Sequence, residues 1–507
     1  MNLANIIDSH PSDAVAMISR GRETTYGSLR DQVDRLRGGL AELGIRDGDR
    51  VALLCGNGTH FAVSYLATLG LGAVAVPLNP LSPALELEHE IAEVGAKAVV
   101  IEELSSATWS RVDRDKVSCV SVVVTAEPLG DAGHHENTDG HVLLDSLLES
   151  DPVPRVQVDP DHLAVLIFTS GTAGSPRAAM LTHGNLLANI EQSQNADGHL
   201  ESSDVVYGVL PLFHIYGLNI VLGLSLYVGA AVILVQRFDP LTAVESISER
   251  QVTVIPGAPA MWVAFAHFDE LPEGVFGSVR LALSGASRLP VGVAETIRDR
   301  FGLELREGYG LTEASPTVTT SLGGPVRFGS VGRAVKGVEV RLVNANGEAL
   351  VGDVGEIWVR GANVFAGYFR DADATDAVLT DDGWLKTGDM ATCDDEGYLY
   401  LVDRAKDLVI VSGFNVYPAE VEDVLMSHPD VVEAGVVGVP HPHTGEAVKA
   451  FVVTRPGSDI GEETLIEYSR DHLARYKCPS KVLFVDELPR NNIGKMLRRD
   501  LAAPILG

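Results

Sequence analysis

LIFTSGTAGSPRAAMLTH, residues 166–183, is the stretch on which the reading of the fold turns. An apolar run of strand character, Leu166–Phe168, passes directly into Thr169, Ser170, Gly171, Thr172, Ala173, Gly174, Ser175, Pro176 and Arg177. Glycines let backbone N–H groups curl around an anion, hydroxyls add donors, and a guanidinium adds fixed positive charge. The segment therefore reads as a phosphate cradle at the end of a buried strand. It is not the Walker form, because GxxxxGK[ST] is absent and no GxGxxG follows a strand into a helix here.

Outward from that loop the chain alternates short apolar strands with helical stretches. RVALLC (50–55), AVAVPL (73–78), KAVVIEE (97–103) and AAVILV (230–235) are strands, and Tyr26–Leu43 is a helix. Such alternation gives α/β architecture with mostly parallel sheets covered by helices. The run Leu218–Val235 holds 18 nearly uncharged residues, but Gly223 and Gly229 punctuate it and AAVILV has β-branched strand character. It is expected to be helix, turn and strand, not a membrane span. EVRLVNANGEALVGDVGEIWVRG (339–361) reads instead as a small antiparallel sheet or barrel. Gly130–His141, with His134, His135 and His141, is expected to be an exposed loop and not a metal site, since no cysteine and no helical histidine spacing accompanies it.

At 507 residues the chain has material for about three structural units, or two large ones. A break at DRAKD (403–407) separates residues 1–403 from a compact α+β module at 404–507. Apolar residues make up 46% and charged ones 21%, as in a globular protein. Against 39 Lys+Arg stand 69 Asp+Glu, a formal charge of −30, which repels phosphate backbones and anionic lipid headgroups. Nucleic acid is not an expected partner. From Arg404 onward 12 basic and 15 acidic residues leave the small module far less charged than the remainder. Cys55, Cys119, Cys393 and Cys478 show no pairing pattern, and the N-terminal stretch lacks a basic, apolar leader. A cytoplasmic protein without an integral membrane segment is expected.

Further motifs add chemistry to the loop. SGAS (284–287) contains Gly285, Ala286 and Ser287; EGYGLTEASP (307–316) contains Glu307, Gly308, Tyr309, Gly310, Thr312 and Glu313. An aromatic ring can stack on a base, and a hydroxyl with a carboxylate can meet phosphate and Mg²⁺. DGWLKTGD (382–389) ends in Asp389, whose carboxylate can accept both hydrogens of a ribose diol. Arg404, Lys406, Ser412, Gly413 and Phe414 follow in VDRAKDLVIVSGFNVYPAEVE (402–422), and Lys495 stands after a turn in LPRNNIGKMLRRDL (488–501).

Taken in order, these segments resemble the adenylate-forming superfamily, which includes acyl- and aryl-CoA synthetases, 4-coumarate:CoA ligases, amino-acid adenylation domains and beetle luciferase. The resemblance runs from about Tyr26 to Leu501. It implies a large N-terminal domain of two αβ sheets plus a distorted β-barrel, and a small mobile α+β C-terminal domain. It also implies two steps: a carboxylic acid and MgATP give acyl-AMP and pyrophosphate, then the thiol of CoA displaces AMP. By the same resemblance Lys495 bridges the substrate carboxylate and the α-phosphate, and Glu313 holds Mg²⁺ with Thr169 and Thr172 beside it. Asp389 and Arg404 hold the ribose. The run Gly285–Ser287 and Glu307–Gly310 line the adenine shelf, Ser170, Gly171, Gly174, Arg177 and Thr312 face the phosphates, and Lys406 is the hinge. Ser412, Gly413 and Phe414 meet the pantetheine arm of CoA. Within PLFHIYGL (211–218), His214 and Tyr216 stand near the bound carboxyl group.

Two departures stand out. Where the family reads TSGTTGxPKG, this chain has Ala173, Arg177 and Ala178, and Ser412 replaces the lysine of plant coumarate ligases. Altered pyrophosphate contacts are expected, not inactivity, since most donors of such a loop are backbone N–H groups. Amino-acid adenylation domains place Asp in the 211–218 segment to hold an ammonium, and its absence argues for a simple acid. A medium- or long-chain fatty acid is the favoured substrate and an aryl acid the alternative. An acyl carrier protein as acceptor, a luciferase-like oxygenase and a non-catalytic acyl binder are weaker readings, and a homodimer is left open. Trp262 and the residues of VIPGAPA (254–260) are read as core first and pocket second.

Overall fold

The computed structural model describes the 507-residue chain except residues 127–140, 170–175, 269–270, 273, 345, 351, 405–406, 412–413, 443, 491–495 and 503–507, and the side chains at 403, 404, 415, 499 and 502. Four sheets organise the described residues. A seven-stranded sheet runs His141–Leu143, Val122–Thr125, Ala98–Ile101, Arg50–Leu54, Val74–Pro77, Leu163–Thr169 and Arg177–Thr182, parallel except for its last pair. A nine-stranded sheet has a parallel centre and antiparallel pairing toward its two ends, where Val15–Ser19 meets Arg22–Thr25 and where Thr317–Thr320 lies between Leu305–Gly310 and Arg333–Ala334. The helix Thr59–Gly70 contacts strands of both sheets, and every residue from Phe61 to Gly70 is buried, as expected of a helix apolar all round.

The segment 218–235 is helix, turn and strand as expected, but of its two punctuating glycines only Gly229 breaks it, since Gly223 lies buried inside the helix. A π-helix at Tyr216–Leu224 continues into Ser225–Val228, stops at Gly229 in the left-handed region (φ 87°), and gives way to the strand Ala231–Leu234. No helix among the described residues is long and apolar enough to cross a membrane. The expected barrel region is a four-stranded antiparallel sheet, a curled half-barrel running Val338–Val343, Gly355–Gly361, Leu385–Cys393 and Leu399–Arg404. Its last strand ends at Arg404, and the first strand of the five-stranded C-terminal sheet begins at Val409. Of the histidine-rich loop, His134 and His135 lie outside the described residues. His141, expected in the loop, instead opens a strand that extends the seven-stranded sheet in parallel with Val122–Thr125.

The helix His183–Gln194, which brings Ser193 to the cavity described below, starts on a capping box. Thr182 Oγ1 accepts from Asn185 N–H at 3.0 Å and Asn185 Oδ1 accepts from Thr182 N–H at 3.0 Å. Asn185 also donates to the carbonyls of Ala362 and Val364, so the cap ties this helix to the segment carrying Tyr368. Thr182→Ala should lower unfolding stability in urea by about 1 kcal/mol, the usual worth of such a cap. A shift of the urea midpoint too small to detect would show that the cap contributes nothing net.

Candidate active site

The phosphate-loop strand and its successor form a hairpin, with Thr169 opposite Arg177 and Thr169 Oγ1 donating to the Arg177 carbonyl at 3.4 Å. Both residues line a cavity of about 410 Å³. Ser170, Gly171, Thr172 and Gly174 lie outside the described residues, as do Lys406, Ser412, Gly413 and Lys495. Gly285, Ala286, Glu307, Gly308, Tyr309, Gly310, Thr312, Glu313 and Asp389 all line the same cavity, so motifs far apart in sequence meet at one end of the two sheets. Ser287 lies on the wall of an adjoining cleft of about 240 Å³, which Ala286, Gly308, Tyr309 and Asp389 share.

Local geometry explains this convergence. Ala286 sits in the left-handed region at φ 70°, a costly conformation for a residue with a Cβ and one that collects at functional sites. It turns the chain after the strand Leu281–Ser284, so that SGAS forms a shelf. Tyr309 donates its hydroxyl to Asp389 Oδ2 at 2.7 Å, which orients the carboxylate. Arg404 lies opposite Asp389 in the antiparallel pair of the half-barrel, so its backbone is placed beside the ribose candidate. Glu307 is 8% exposed, and its burial pushes the carboxyl up to about 7.

Two residues that sequence reasoning missed hold the charged ones. Tyr368 donates its hydroxyl to Glu313 Oε1 at 2.8 Å, and burial, with Glu313 beside it, pushes the phenol far above its ordinary value. Asp371 forms an ion pair with Arg177, Oδ2 to Nε at 3.0 Å. Both come from the stretch GYFRD (367–371), in which only the Gly-Tyr pair offered a signal. A divalent cation fits the residues present: Glu313 and Thr169 offer a carboxylate and a hydroxyl, the oxygen donors Mg²⁺ prefers.

One helix supplies an apolar stripe to the cavity. Tyr216, Ile220 and Leu224 follow each other at intervals of four along the π-helix and all line the cavity, making a stripe on the order of 10 Å long. Gly285 makes the top of this stripe possible, because a Cβ there would stand 2.8 Å from the Tyr216 ring. His214 lies above it, its Nδ1 accepting from the Tyr216 N–H at 3.4 Å, an arrangement that suits a ring protonated at Nε2. Among the described lining residues the carboxylates are Glu307, Glu313 and Asp389, and none comes from the 211–218 segment. Trp262 is fully buried in the core and donates to the Leu283 carbonyl at 3.1 Å, whereas Pro259 and Ala260 line the cleft. Phe414 lines neither cavity; it is 57% exposed and stacks on Tyr476 at 4.8 Å.

The cleft lies between the shelf and the C-terminal module, and an ion pair crosses it. Arg288, next to the shelf, meets Asp423 of the helix Pro418–Met426 at 2.6 Å.

Comparison with known proteins agrees with this geometry. The family model described as AMP-binding enzyme matches residues 3–369, and the AMP-binding enzyme C-terminal domain matches 420–495. A long-chain-fatty-acid–CoA ligase of Bacillus subtilis (strain 168) is 35% identical over 514 residues, covering 96% of this chain and 91% of the relative. The 4-coumarate–CoA ligase 3 of Arabidopsis thaliana is 34% identical, covering 98% and 90%. The crystal structure of ATP-bound MatB from Rhodopseudomonas palustris superposes with a TM-score of 0.90 at 32% identity, covering 99% of this chain and 98% of that one.

Proposed function

The chain belongs to the AMP-binding enzyme family as an adenylate-forming acid–thiol ligase, and on that premise we propose that its acid is a medium- or long-chain fatty acid and its thiol that of CoA. The observation that carries the proposal is the apolar stripe Tyr216–Ile220–Leu224 descending from His214. An alkyl chain lying along it exchanges water for aliphatic and aromatic walls, at about 0.8 kcal/mol per buried methylene. The aryl reading keeps one point in its favour, the Tyr216 ring packed close against Gly285.

In this reading the substrate carboxylate oxygen attacks the α-phosphorus of ATP. The bond to the pyrophosphate oxygen breaks, and acyl-AMP forms. The thiol sulfur of CoA then attacks the acyl carbon, the bond to AMP breaks, and AMP leaves with its oxygen. Thr169 and Arg177 lie on the phosphate side of the cavity, Asp389 on the ribose side, and the shelf Gly285–Ala286 on the purine side. Glu313 and Thr169 would hold Mg²⁺, which when bound supplies positive charge to the phosphates. We place the domain boundary near 403/404 with Lys406 as hinge, supported by the change of sheet between Arg404 and Val409. Lys495 serves adenylation, and Ser412–Phe414 serve thioester formation after rotation.

The test is pyrophosphate release in the presence of CoA over a panel of fatty, aryl and α-amino acids. Fatty acids should drive it and free amino acids should not, since an ammonium buried without a counter-charge costs several kcal/mol. Saturating turnover with an amino acid, and none with fatty or aryl acids, would overturn the reading.

A further inference from the structure

We infer that Asp371 is a positioning residue for nucleotide binding, one that aims Arg177 at the triphosphate; the inference rests on the adenylation chemistry proposed above. Arg177 lines the nucleotide cavity and Asp371 does not, so the guanidinium stands between the carboxylate and the space a nucleotide would fill. The contact runs to Nε at 3.0 Å. Among the described residues no guanidinium nitrogen of Arg177 makes a hydrogen bond, so Asp371 holds it as an ion pair and the Nη edge is left to other anions. The guanidinium carbon also lies 5.7 Å from the centre of the Tyr368 ring, the ring whose hydroxyl holds Glu313.

One short segment thus steadies two charges of opposite sign: Tyr368 for the carboxylate and Asp371 for the cation. The segment itself is fixed. Met180 N–H donates to the Gly367 carbonyl at 2.9 Å, Tyr368 N–H donates to Thr375 Oγ1 at 2.9 Å, and Asp371 Oδ1 caps the following helix by accepting from Ala374 N–H at 3.0 Å. An arginine suits this arrangement better than a lysine. Its planar fork can be steadied at Nε while the Nη edge remains available to phosphate oxygens, whereas a lone ammonium must divide itself between the two anions. Arg177 in place of the family's usual lysine is on this account matched to Asp371.

Stability is not what the pair supplies. With side chains 28% and 38% exposed, Arg177 and Asp371 form the kind of ion pair that contributes little to folding. The same exposure screens the repulsion between Asp371 and a bound triphosphate, so the orientation of a long, rotamer-rich side chain is the larger effect.

Asp371→Asn separates these roles, because asparagine keeps the capping acceptor and removes the charge. MgATP titrated calorimetrically into the wild type, Asp371→Asn, Arg177→Ala and the double variant gives the test. Asp371→Asn should weaken MgATP binding about tenfold, the scale of one charge-assisted contact that has lost its aim. In the Arg177→Ala background the same substitution should change Kd less than about twofold, because Asp371 acts only through Arg177. An unchanged or tighter Kd in Asp371→Asn, or an equal loss in both backgrounds, overturns the inference. Pyrophosphate release by the wild type over the acid panel is measured in parallel. If no acid gives release, the proposed function fails, while the MgATP titrations still decide the role of Asp371.

Discussion

Replacing Lys495 by alanine is expected to slow acyl-AMP formation by about 10²–10³-fold or more, the loss that follows removal of one preorganised transition-state donor. The reason is electrostatic. A carboxylate has to approach an α-phosphate that is itself anionic, inside a chain of net charge −30. Among the described residues the Lys and Arg side chains on the cavity wall are Arg177, assigned above to the triphosphate, and Arg306 and Lys386, which are engaged elsewhere. Arg177 meets Asp371, Arg306 donates to the carbonyls of Ser321 and Gly324, and Lys386 donates to the Ala377 carbonyl at 3.4 Å. A cation dedicated to the reacting centre must therefore come from outside this wall, and Lys495 is the residue that the family resemblance supplies. Conversion of supplied acyl-AMP and CoA to the thioester should survive in Lys495→Ala, because no phosphoryl transfer remains. Single-turnover measurement of the two half-reactions checks this: a normal rate of acyl-AMP formation, or failure of the second half-reaction, would remove Lys495 from the role assigned to it.

Local signals in the sequence proved sufficient wherever one residue type decides the outcome. Gly229 had to end a helix in the left-handed region, and the β-branched run after it had to be a strand; both are found. The motifs around Thr169, Ala286, Tyr309, Glu313 and Asp389 converge on one cavity as their chemistry required. What sequence could not show is pairing across long separations. Val15–Ser19 lies parallel to Ala231–Leu234 with no local mark of that partner. The hydroxyl that holds Glu313 comes from Tyr368, 55 residues away, and the carboxylate beside Arg177 from Asp371, both in a stretch whose composition suggests an ordinary turn. The sequence presents Tyr309 as a stacking ring, yet its hydroxyl also engages Asp389, because the strand Leu305–Gly310 brings the residue to the half-barrel strand Leu385–Cys393. The π-helix also escaped sequence reading, since its wider turns leave the apolar composition of an ordinary helix unchanged.

Glu313→Gln should reduce pyrophosphate release by about 10²-fold or more while leaving the fold intact, because a metal-held triphosphate loses its carboxylate partner at the point where charge moves. Glutamine is the informative replacement. Its carbonyl oxygen still accepts from the Tyr368 hydroxyl, which lies 2.8 Å from Oε1, so the turn Thr312–Ala314 and the tie to the 367–371 segment are preserved. What disappears is one negative charge on the wall proposed to hold Mg²⁺. The loss should therefore appear with a higher Mg²⁺ concentration for half-maximal rate, and added Mg²⁺ should recover part of it. Thioester formation from supplied acyl-AMP should change little, since that step handles no triphosphate. Tyr368→Phe provides the graded comparison: it keeps the charge on Glu313 and removes only its orienting donor, so a loss of about tenfold is expected. Unfolding midpoints of all three proteins should agree within a few degrees. Glu313→Gln retaining the wild-type rate and the wild-type Mg²⁺ requirement would mean that the carboxylate serves the structure of the turn alone, and that the metal is held by other groups.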